Sequence, residues 1–401
     1  MTMTDNYKMR TAAVLGSTGS VGTQAIDALS RLGVKITLLT AGRNVDLLAS
    51  QAVECGALSV AVPDCGDGEK LRSILPEGIK VYAGENAVCD AVKECNCDLI
   101  VHSISGMAGI PAALAAADTG ARIAMANKEA LISLGHLIYD RLAVSGGELI
   151  PVDSEHSAIF QCLCSSGAAD PKAPADSSQV RRILLTASGG PFFGQSREEL
   201  QGVTPEMALS HPTWKMGAKI TIDCATLMNK GFELIEACRL FNVEPDRVEV
   251  LIHRQSIIHS MVEYTDGAVI AELSYPDMRD CVRYALSYPD RAPFGGEPLD
   301  FVKLGSLTFH EPDRKAFPLL QIAEDSWYKG GTAPAALIAA DEEAVSAFIE
   351  NKLSFNGISD VVGETIERCT IIPATCPEAV FAAEKEARAV ASEIIKKHII
   401  I

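Results

Sequence analysis

The stretch "TAAVLGSTGSVGTQAIDALSRLG", residues 11–33, decides the fold. Its first five residues are apolar or small, the pattern of a strand buried on both faces. Gly16, Gly19 and Gly22 then interrupt the run in G-x-x-G-x-x-G spacing, and an amphipathic helical pattern follows. A strand, a glycine turn and a helix bring free N–H groups together at a helix N-terminus, where a pyrophosphate can approach the backbone closely. The same turn can also serve packing alone. A second strand is expected in "VKITLLTAGRN", residues 34–44. An NAD site places an acid at the end of that strand for the ribose 2′-OH. Here Gly42, Arg43 and Asn44 stand instead, and a guanidinium suits a 2′-phosphate, which points to NADP(H). The competing reading of Arg43 is a solvated surface arginine.

Outward from this unit the alternation continues. "LSVAVPD" (58–64) precedes a helix; "CDLIVHSISGMAGIPAALAAADTG" (97–120) reads as strand, loop, helix; "ARIAMANKEALI" (121–132) reads as strand, then helix. Such β/α alternation builds a doubly wound parallel sheet, giving an α/β fold with a Rossmann-like N-terminal domain. Asn127, Lys128 and Glu129 fall where a strand meets a helix, which is the ligand end of such a sheet and also an ordinary helix start.

The totals limit what this fold can serve. At 401 residues, two or three domains are expected. A net charge of −17 argues against a nucleic-acid or anionic-membrane binder, so any anionic substrate must meet a locally basic pocket. No apolar run reaches the length of a bilayer span. The N-terminal "MTMTDNYKMRTAAVLG" has no secretory core and is too short for a transit peptide. Twelve cysteines without CxxC pairs, the nearest pairs being Cys95/Cys97 and Cys162/Cys164, suggest a reducing cytoplasm.

The central region carries the chemistry. "LIPVDSEHSAIF" (149–160) ends an apolar run on Asp153 and Glu155. If the strand continues, residues two apart share a face and the two carboxylates converge. Then one must take a proton or a cation must sit between them, and hard oxygen ligands favour Mg²⁺ or Mn²⁺. The alternative is a polar loop in which Asp153 or Ser154 caps a helix. "DCATLMNKGFELIEACRLF" (223–241) is expected to be helical from about Ala225, with Asn229, Lys230, Glu233 and Glu236 along one stripe among dense apolar positions. Buried polar groups need partners, which a third metal ligand at Glu233 and an anion site at Asn229 and Lys230 would supply. A surface helix with a Lys–Glu pair is the weaker alternative. "RRILLTASGGPF" (181–192) is a strand running into small residues, an anion nest with Ser188 as donor. "ALSHPTWKMGAKITID" (208–223) suggests a lid carrying His211, Trp214 and Met216, although a lone His or Trp more often packs. "CSSGAADPKAPADSSQ" (164–179) reads as a surface insertion without chemistry.

Taken together, "GSTGSVG", "ANKEAL", "PVDSEHSAIFQ", "LTASGGPF", "HPTWKMG", "ATLMNKGFELIEA", "IHRQSIIHSMVEY" and "YPDMR" resemble the 1-deoxy-D-xylulose 5-phosphate reductoisomerase family, in its order and over most of the chain. The resemblance implies an NADPH domain over residues 1–150 and a central α+β catalytic domain over 151–289 that also carries a homodimer interface. It further implies a linker over 290–312 and a C-terminal helical domain over 313–401, in keeping with the helical pattern of "TAPAALIAADEEAVSAFIENKL" (332–353). It implies NADPH-dependent rearrangement and reduction of 1-deoxy-D-xylulose 5-phosphate to 2-C-methyl-D-erythritol 4-phosphate, with Mg²⁺ or Mn²⁺, in isoprenoid synthesis. Fosmidomycin, a phosphonate hydroxamate, is then an expected inhibitor. By position, Asp153, Glu155 and Glu233 are the implied metal ligands. Lys128 and Ser154 contact the ketone and hydroxyl end. Ser188, Asn229 and Lys230 hold the phosphate, with His211 closing from the lid beneath Trp214 and Met216. Thr18, Gly19, Ser20, Val21, Gly42, Arg43, Asn44, Asn127, Glu129 and Gly217 fall on cofactor positions.

The chain departs from the family at Cys224, where a phosphate-contacting serine is usual; a thiol is larger and a poorer donor. Two rivals remain. A semialdehyde dehydrogenase would use Cys224 as nucleophile but needs no trio of carboxylates. An NADP-sensing protein would not need a site filled with competent residues.

Overall fold

The computed structural model describes residues 9–210, 217–293 and 296–398. Seven strands, β1 (Thr11–Leu15), β2 (Lys35–Thr40), β3 (Ser59–Val62), β4 (Lys80–Ala83), β5 (Leu99–His102), β6 (Arg122–Met125) and β7 (Glu148–Pro151), form one sheet in the order β4-β3-β2-β1-β5-β6-β7. Every neighbouring pair in it is parallel. β5 and β6 are buried along their whole length, as expected of strands covered by helices on both faces. The chain winds outward from β1 to β4, then returns to β5 and winds the other way. That reversal opens a crevice at the carboxyl ends of β1 and β5.

The glycine turn lies at this crevice. Gly16 has φ +80°, and a Cβ there would meet the Ser103 carbonyl oxygen at 2.8 Å, so the two strand exits pack backbone to backbone. The helix Ser20–Arg31 starts from Gly19 with no side-chain cap, which leaves its first-turn amides available to a ligand.

A second sheet holds β8 (Val180–Ala187), β9 (Val248–Ile252), β10 (Ile258–Tyr264) and β11 (Val269–Leu273) in the order β11-β10-β8-β9. β8 pairs parallel with β9 and antiparallel with β10, so this unit is α+β. Helix Ser154–Cys164 packs on β10 and β11, and helix Met278–Ser287 packs on the first helix of the nucleotide-binding unit. The C-terminal part is helical: Leu319–Lys329, Ala333–Ile349, Phe355–Arg368 and Pro377–His398. Alanine-rich Ala333–Ile349 is buried on most of its faces and forms the centre of that bundle.

The structure adds local detail to three expectations. Residues 164–179 lie mostly at the surface, as expected, and are tied down there: the Leu149 amide donates to the Pro171 carbonyl, the Ala175 amide to the Leu240 carbonyl, and Arg247 to the Ser177 carbonyl. The described residues of the expected linker, 290–312, carry a little local structure. They contain the short helix Phe301–Leu304, and His310 pairs with Ile252. The helix expected from Ala225 is two helices, Ala218–Ala225 and Met228–Phe241, separated by Leu227 at φ +61°. A left-handed leucine costs about 1–2 kcal/mol, and here it redirects the second helix so that its first turn faces the cavity.

Candidate active site

Helix N-termini and strand exits from both sheets converge on a cavity of about 760 Å³. Ser20 and Val21 line it from the first helix, Lys128 from helix Lys128–Ser145, and Asp153, Ser154 and Glu155 from the next. Ser188 and Gly189 follow β8, while Gly217, Ile220 and Cys224 come from helix Ala218–Ala225. Asn229, Lys230 and Glu233 complete the wall from helix Met228–Phe241.

The two readings of residues 149–155 merge. β7 ends at Pro151, and Asp153 caps the following helix by accepting from the Glu155 amide at 3.2 Å. The cap nonetheless directs both carboxylates inward, because Glu155 sits in the helix's first turn. Oxygens of Asp153, Glu155 and Glu233 lie within 4.8 Å of one another. Two lysines bracket them. Lys128 Nζ is 2.8 Å from Asp153 Oδ2, 3.3 Å from Glu233 Oε1 and 2.9 Å from Asn229 Oδ1. Lys230 pairs with Glu233 and lies 3.6 Å from Glu155. Asn229 Nδ2 donates to Glu233 Oε1 at 2.5 Å, and Ser154 Oγ to Glu155 Oε2 at 2.6 Å.

The electrostatics follow from burial and crowding. Burial works against the Asp153 charge, but Lys128 and His156 outweigh it and hold this carboxyl well below its usual range. Glu155 goes the other way. Burial, with Glu233 and Asp153 adding repulsion against the pull of Lys230, pushes it up to about 8. The three carboxyl groups form a cluster of hard oxygens with no thiolate among them. That donor set fits Mg²⁺ or Mn²⁺ and does not suit a soft metal.

His156 joins the site without a clear signal in the sequence. It is buried, with Nδ1 3.2 Å from Asp153 and 3.4 Å from Glu236, and Nε2 2.9 Å from the Glu233 carbonyl oxygen. It therefore orients two of the three carboxylate-bearing residues. Its i, i+3 spacing from Asp153 was the available signal. His253, Ser256, His259 and Arg279 also line the cavity and were not singled out. In their sequence segments nothing distinguishes them from core or surface residues.

The phosphate candidates come together. Ser188 Oγ accepts from the Gly190 amide at 3.3 Å, and Arg254 grips the same turn through the Ser188 carbonyl oxygen at 2.9 Å. Gly190 is left-handed at φ +64°, and a Cβ there would meet the Cys224 carbonyl oxygen at 2.8 Å. The turn thus presses on the helix that carries Cys224. Burial, with Glu233 and Asp223 adding negative charge, pushes the Cys224 thiol up. A thiol kept protonated is a poor nucleophile, which counts against the semialdehyde dehydrogenase reading. His211, Trp214 and Met216 lie outside the described residues.

The cofactor candidates divide. Ser20 and Val21 line the cavity, with Thr18 and Gly19 in the turn before them, and Gly217 lines it from the far wall. Gly42 and Arg43 are exposed after β2, and Arg43 makes no ion pair among the described residues. Asn44 caps helix Val45–Cys55. Asn127 is largely spent on the fold: its Oδ1 accepts from the Ala130 amide, and its Nδ2 donates to the Ile104 and Gly106 carbonyls and to Glu129. Its side-chain donors are used, so a contact with cofactor would have to come from its backbone.

A nucleotide-binding sheet facing a cluster of carboxylates and lysines defines a metal-dependent, dinucleotide-linked oxidoreductase. Models of 1-deoxy-D-xylulose 5-phosphate reductoisomerase match residues 12–135, those of its C-terminal domain match residues 149–241, and a further C-terminal domain of DXP reductoisomerase matches residues 273–390. The chain belongs to the 1-deoxy-D-xylulose 5-phosphate reductoisomerase family. It is 45% identical over 364 residues to the enzyme of that name from Bordetella avium, covering 88% of this chain and 90% of that one. It is 46% identical over 362 residues to that of Caldanaerobacter subterraneus, covering 90% and 92%. The solved reductoisomerase from Zymomonas mobilis, in complex with NADPH, superimposes with a TM-score of 0.89 at 40% identity, covering 97% of this chain and all of that one. A DOX-P reductoisomerase in complex with NADPH, fosmidomycin and magnesium gives 0.89 at 34%, covering 97% and 98%.

Proposed function

We propose that this chain converts 1-deoxy-D-xylulose 5-phosphate and NADPH into 2-C-methyl-D-erythritol 4-phosphate and NADP⁺ with a divalent cation, in isoprenoid synthesis. The carrying observation is the carboxylate trio of Asp153, Glu155 and Glu233, bracketed by Lys128 and Lys230 in a cavity that opens toward the glycine turn. The relatives' complexes with NADPH and magnesium support the same cofactor set.

Asp153, Glu155 and Glu233 would hold the cation, whose contribution is Lewis-acid polarisation of the substrate's ketone and neighbouring hydroxyl. NADPH contributes the hydride. Burial opposes the Lys128 charge, but Asp153, Glu233 and Glu236 keep it protonated, so it sets a fixed positive charge beside the substrate oxygen at the carboxylate end, its own N–H groups held by Asp153, Glu233 and Asn229. Ser154 fixes Glu155 and faces the same end. Lys230 has three N–H donors, of which Glu233 and Glu155 engage two, leaving one for an anion. With Asn229, Ser188 and Cys224 it forms the phosphate end, and His211, Trp214 and Met216 cover the substrate. The amides of Ser20 and Val21 take the pyrophosphate, and Arg43 takes the 2′-phosphate.

The cation is Mg²⁺ or Mn²⁺. Two copies pair through the central unit, whose edge strand β11 leaves Val269 and Ile270 exposed. No described helix is long and apolar enough to cross a membrane. Twelve unpaired cysteines support a cytoplasmic location. The deciding experiment follows NADPH absorbance with 1-deoxy-D-xylulose 5-phosphate, with Mg²⁺ and with a chelator. Oxidation that needs both substrate and metal is expected. Absence of oxidation in the metal-loaded enzyme would sink the assignment.

A further inference from the structure

Outside the catalytic cluster lies a second buried charged group. Lys219 Nζ sits 2.6 Å from Asp223 Oδ2 and 2.6 Å from Asp341 Oδ2. The two aspartates are almost wholly buried, and Lys219 also lies over the Phe232 ring, 4.8 Å from its centroid. The remaining oxygens, Asp223 Oδ1 and Asp341 Oδ1, have no hydrogen-bond donor among the described residues.

The location gives the group its meaning. Lys219 and Asp223 are one turn apart on helix Ala218–Ala225, whose Gly217, Ile220 and Cys224 line the cavity. Asp341 belongs to helix Ala333–Ile349 at the centre of the C-terminal bundle. That helix is itself pinned. Arg388 pairs with Glu342 and reaches Glu343 at 3.1 Å, and a Cβ on Gly106, in the loop after β5, would meet Glu342 Oε1 at 3.1 Å. The ammonium thus ties one wall of the cavity to the rigid centre of another structural unit. Burying two acids against one half-buried ammonium is costly, and apolar residues of similar volume would often give more stability. Specific geometry is what such a group provides.

We propose that Lys219, Asp223 and Asp341 are positioning residues, a polar joint that holds the Cys224 wall of the cavity in place for the substrate's phosphate. The proposal rests on the reading of this pocket as the sugar-phosphate site. Two carboxyl groups share one ammonium, and burial together with Asp341 holds Asp223 well above the usual carboxylate range despite Lys219. Burial and the neighbouring carboxylate thus favour the neutral form of Asp223. An asparagine at 341 keeps the joint, since its oxygen still accepts from Lys219 while Asp223 remains as the acid facing the ammonium. A leucine there fills the space and breaks the joint.

The test compares Asp341→Asn and Asp341→Leu in the full chain. Asp341→Asn should keep wild-type kinetics. Asp341→Leu should raise KM for 1-deoxy-D-xylulose 5-phosphate roughly fivefold to tenfold, with kcat within about twofold and NADPH affinity unchanged, the pattern of lost substrate positioning. Hydrogen exchange should quicken in helix Ala218–Ala225 for Asp341→Leu and stay as wild type for Asp341→Asn. If Asp341→Leu does not fold, Lys219→Met replaces it with the same expectations. An unchanged KM in the leucine or methionine variant overturns the proposal, as does an asparagine variant as impaired as the leucine one. Wild-type protein without turnover would count against the functional assignment instead. The exchange measurement then decides the joint alone, and unaltered exchange in the leucine variant would overturn it.

Discussion

Cys224→Ser separates the assigned chemistry from its nearest rival. The residue lines the cavity beside Ser188, Asn229 and Lys230, on the helix against which the Ser188–Gly190 turn packs. Burial and the nearby Glu233 and Asp223 keep its thiol protonated through neutral pH. A protonated thiol at the phosphate end offers one weak S–H donor. Serine offers a stronger donor in a slightly smaller volume and disturbs no backbone contact. One neutral hydrogen bond gained is worth about 0.5–1.5 kcal/mol, so KM for 1-deoxy-D-xylulose 5-phosphate should fall by roughly tenfold at most. The turnover number should stay unchanged, because the thiol takes no part in bond making. Steady-state NADPH oxidation over a range of substrate concentrations measures both quantities. Alkylation of Cys224 in the wild type should be slow at neutral pH and slower still under saturating substrate. A Cys224→Ser enzyme that binds substrate but does not turn over would refute the reasoning and restore a covalent cysteine mechanism.

Asp153→Asn removes a buried charge from the three-carboxylate site; turnover should fall by at least about a hundredfold while NADPH still binds, measured by kinetics and by cofactor fluorescence titration. Near-full activity would displace Asp153 from the metal site. Arg43→Ala should weaken NADPH at least tenfold, about 1.4 kcal/mol, and leave NADH nearly unaffected; equal losses would show that Arg43 does not read the 2′-phosphate. Fosmidomycin should inhibit competitively with substrate, its hydroxamate at the carboxylate end and its phosphonate near Ser188, Asn229 and Lys230, so an active enzyme indifferent to it would contradict this pocket. Asp98 accepts from the Arg10 and Thr11 amides at 2.8 and 2.9 Å. Burial opposes its charge, but these amides lower its pKa. A depressed folded-state pKa stabilises the fold above the unfolded value and loses that contribution as pH falls through the folded value. Asp98→Ala should therefore cost about 1–2 kcal/mol at neutral pH, a partly exposed contact. Its denaturation midpoint should approach wild type in strong acid, and a pH-independent difference would contradict this account.

Much of this protein is legible from residue order because the signals are local. The apolar run at 11–15, the glycines after it and the repeated strand–helix alternation dictate a parallel sheet, since each unit carries its own periodicity and its own turn. The density of polar residues on an apolar helix likewise singled out Asn229, Lys230 and Glu233, because buried polar groups require partners. Other features depend on distant segments meeting. Whether Asp153 caps a helix or joins a carboxylate cluster could not be separated locally, and the structure has it cap the helix with its carboxylate beside those of Glu155 and Glu233. The left-handed turn at Leu227 gives no sequence signal, because nothing in a leucine announces φ above zero. His156 looks like any core histidine until Glu236, eighty positions on, lies beside it. Lys219 and Asp223 stand at the i, i+4 spacing of any helical ion pair; only the packing of helix Ala333–Ile349 brings Asp341 to the same ammonium, with both aspartates almost wholly buried. Periodicity and turn chemistry are written residue by residue, whereas the partners of a buried charge are set by how the helices pack.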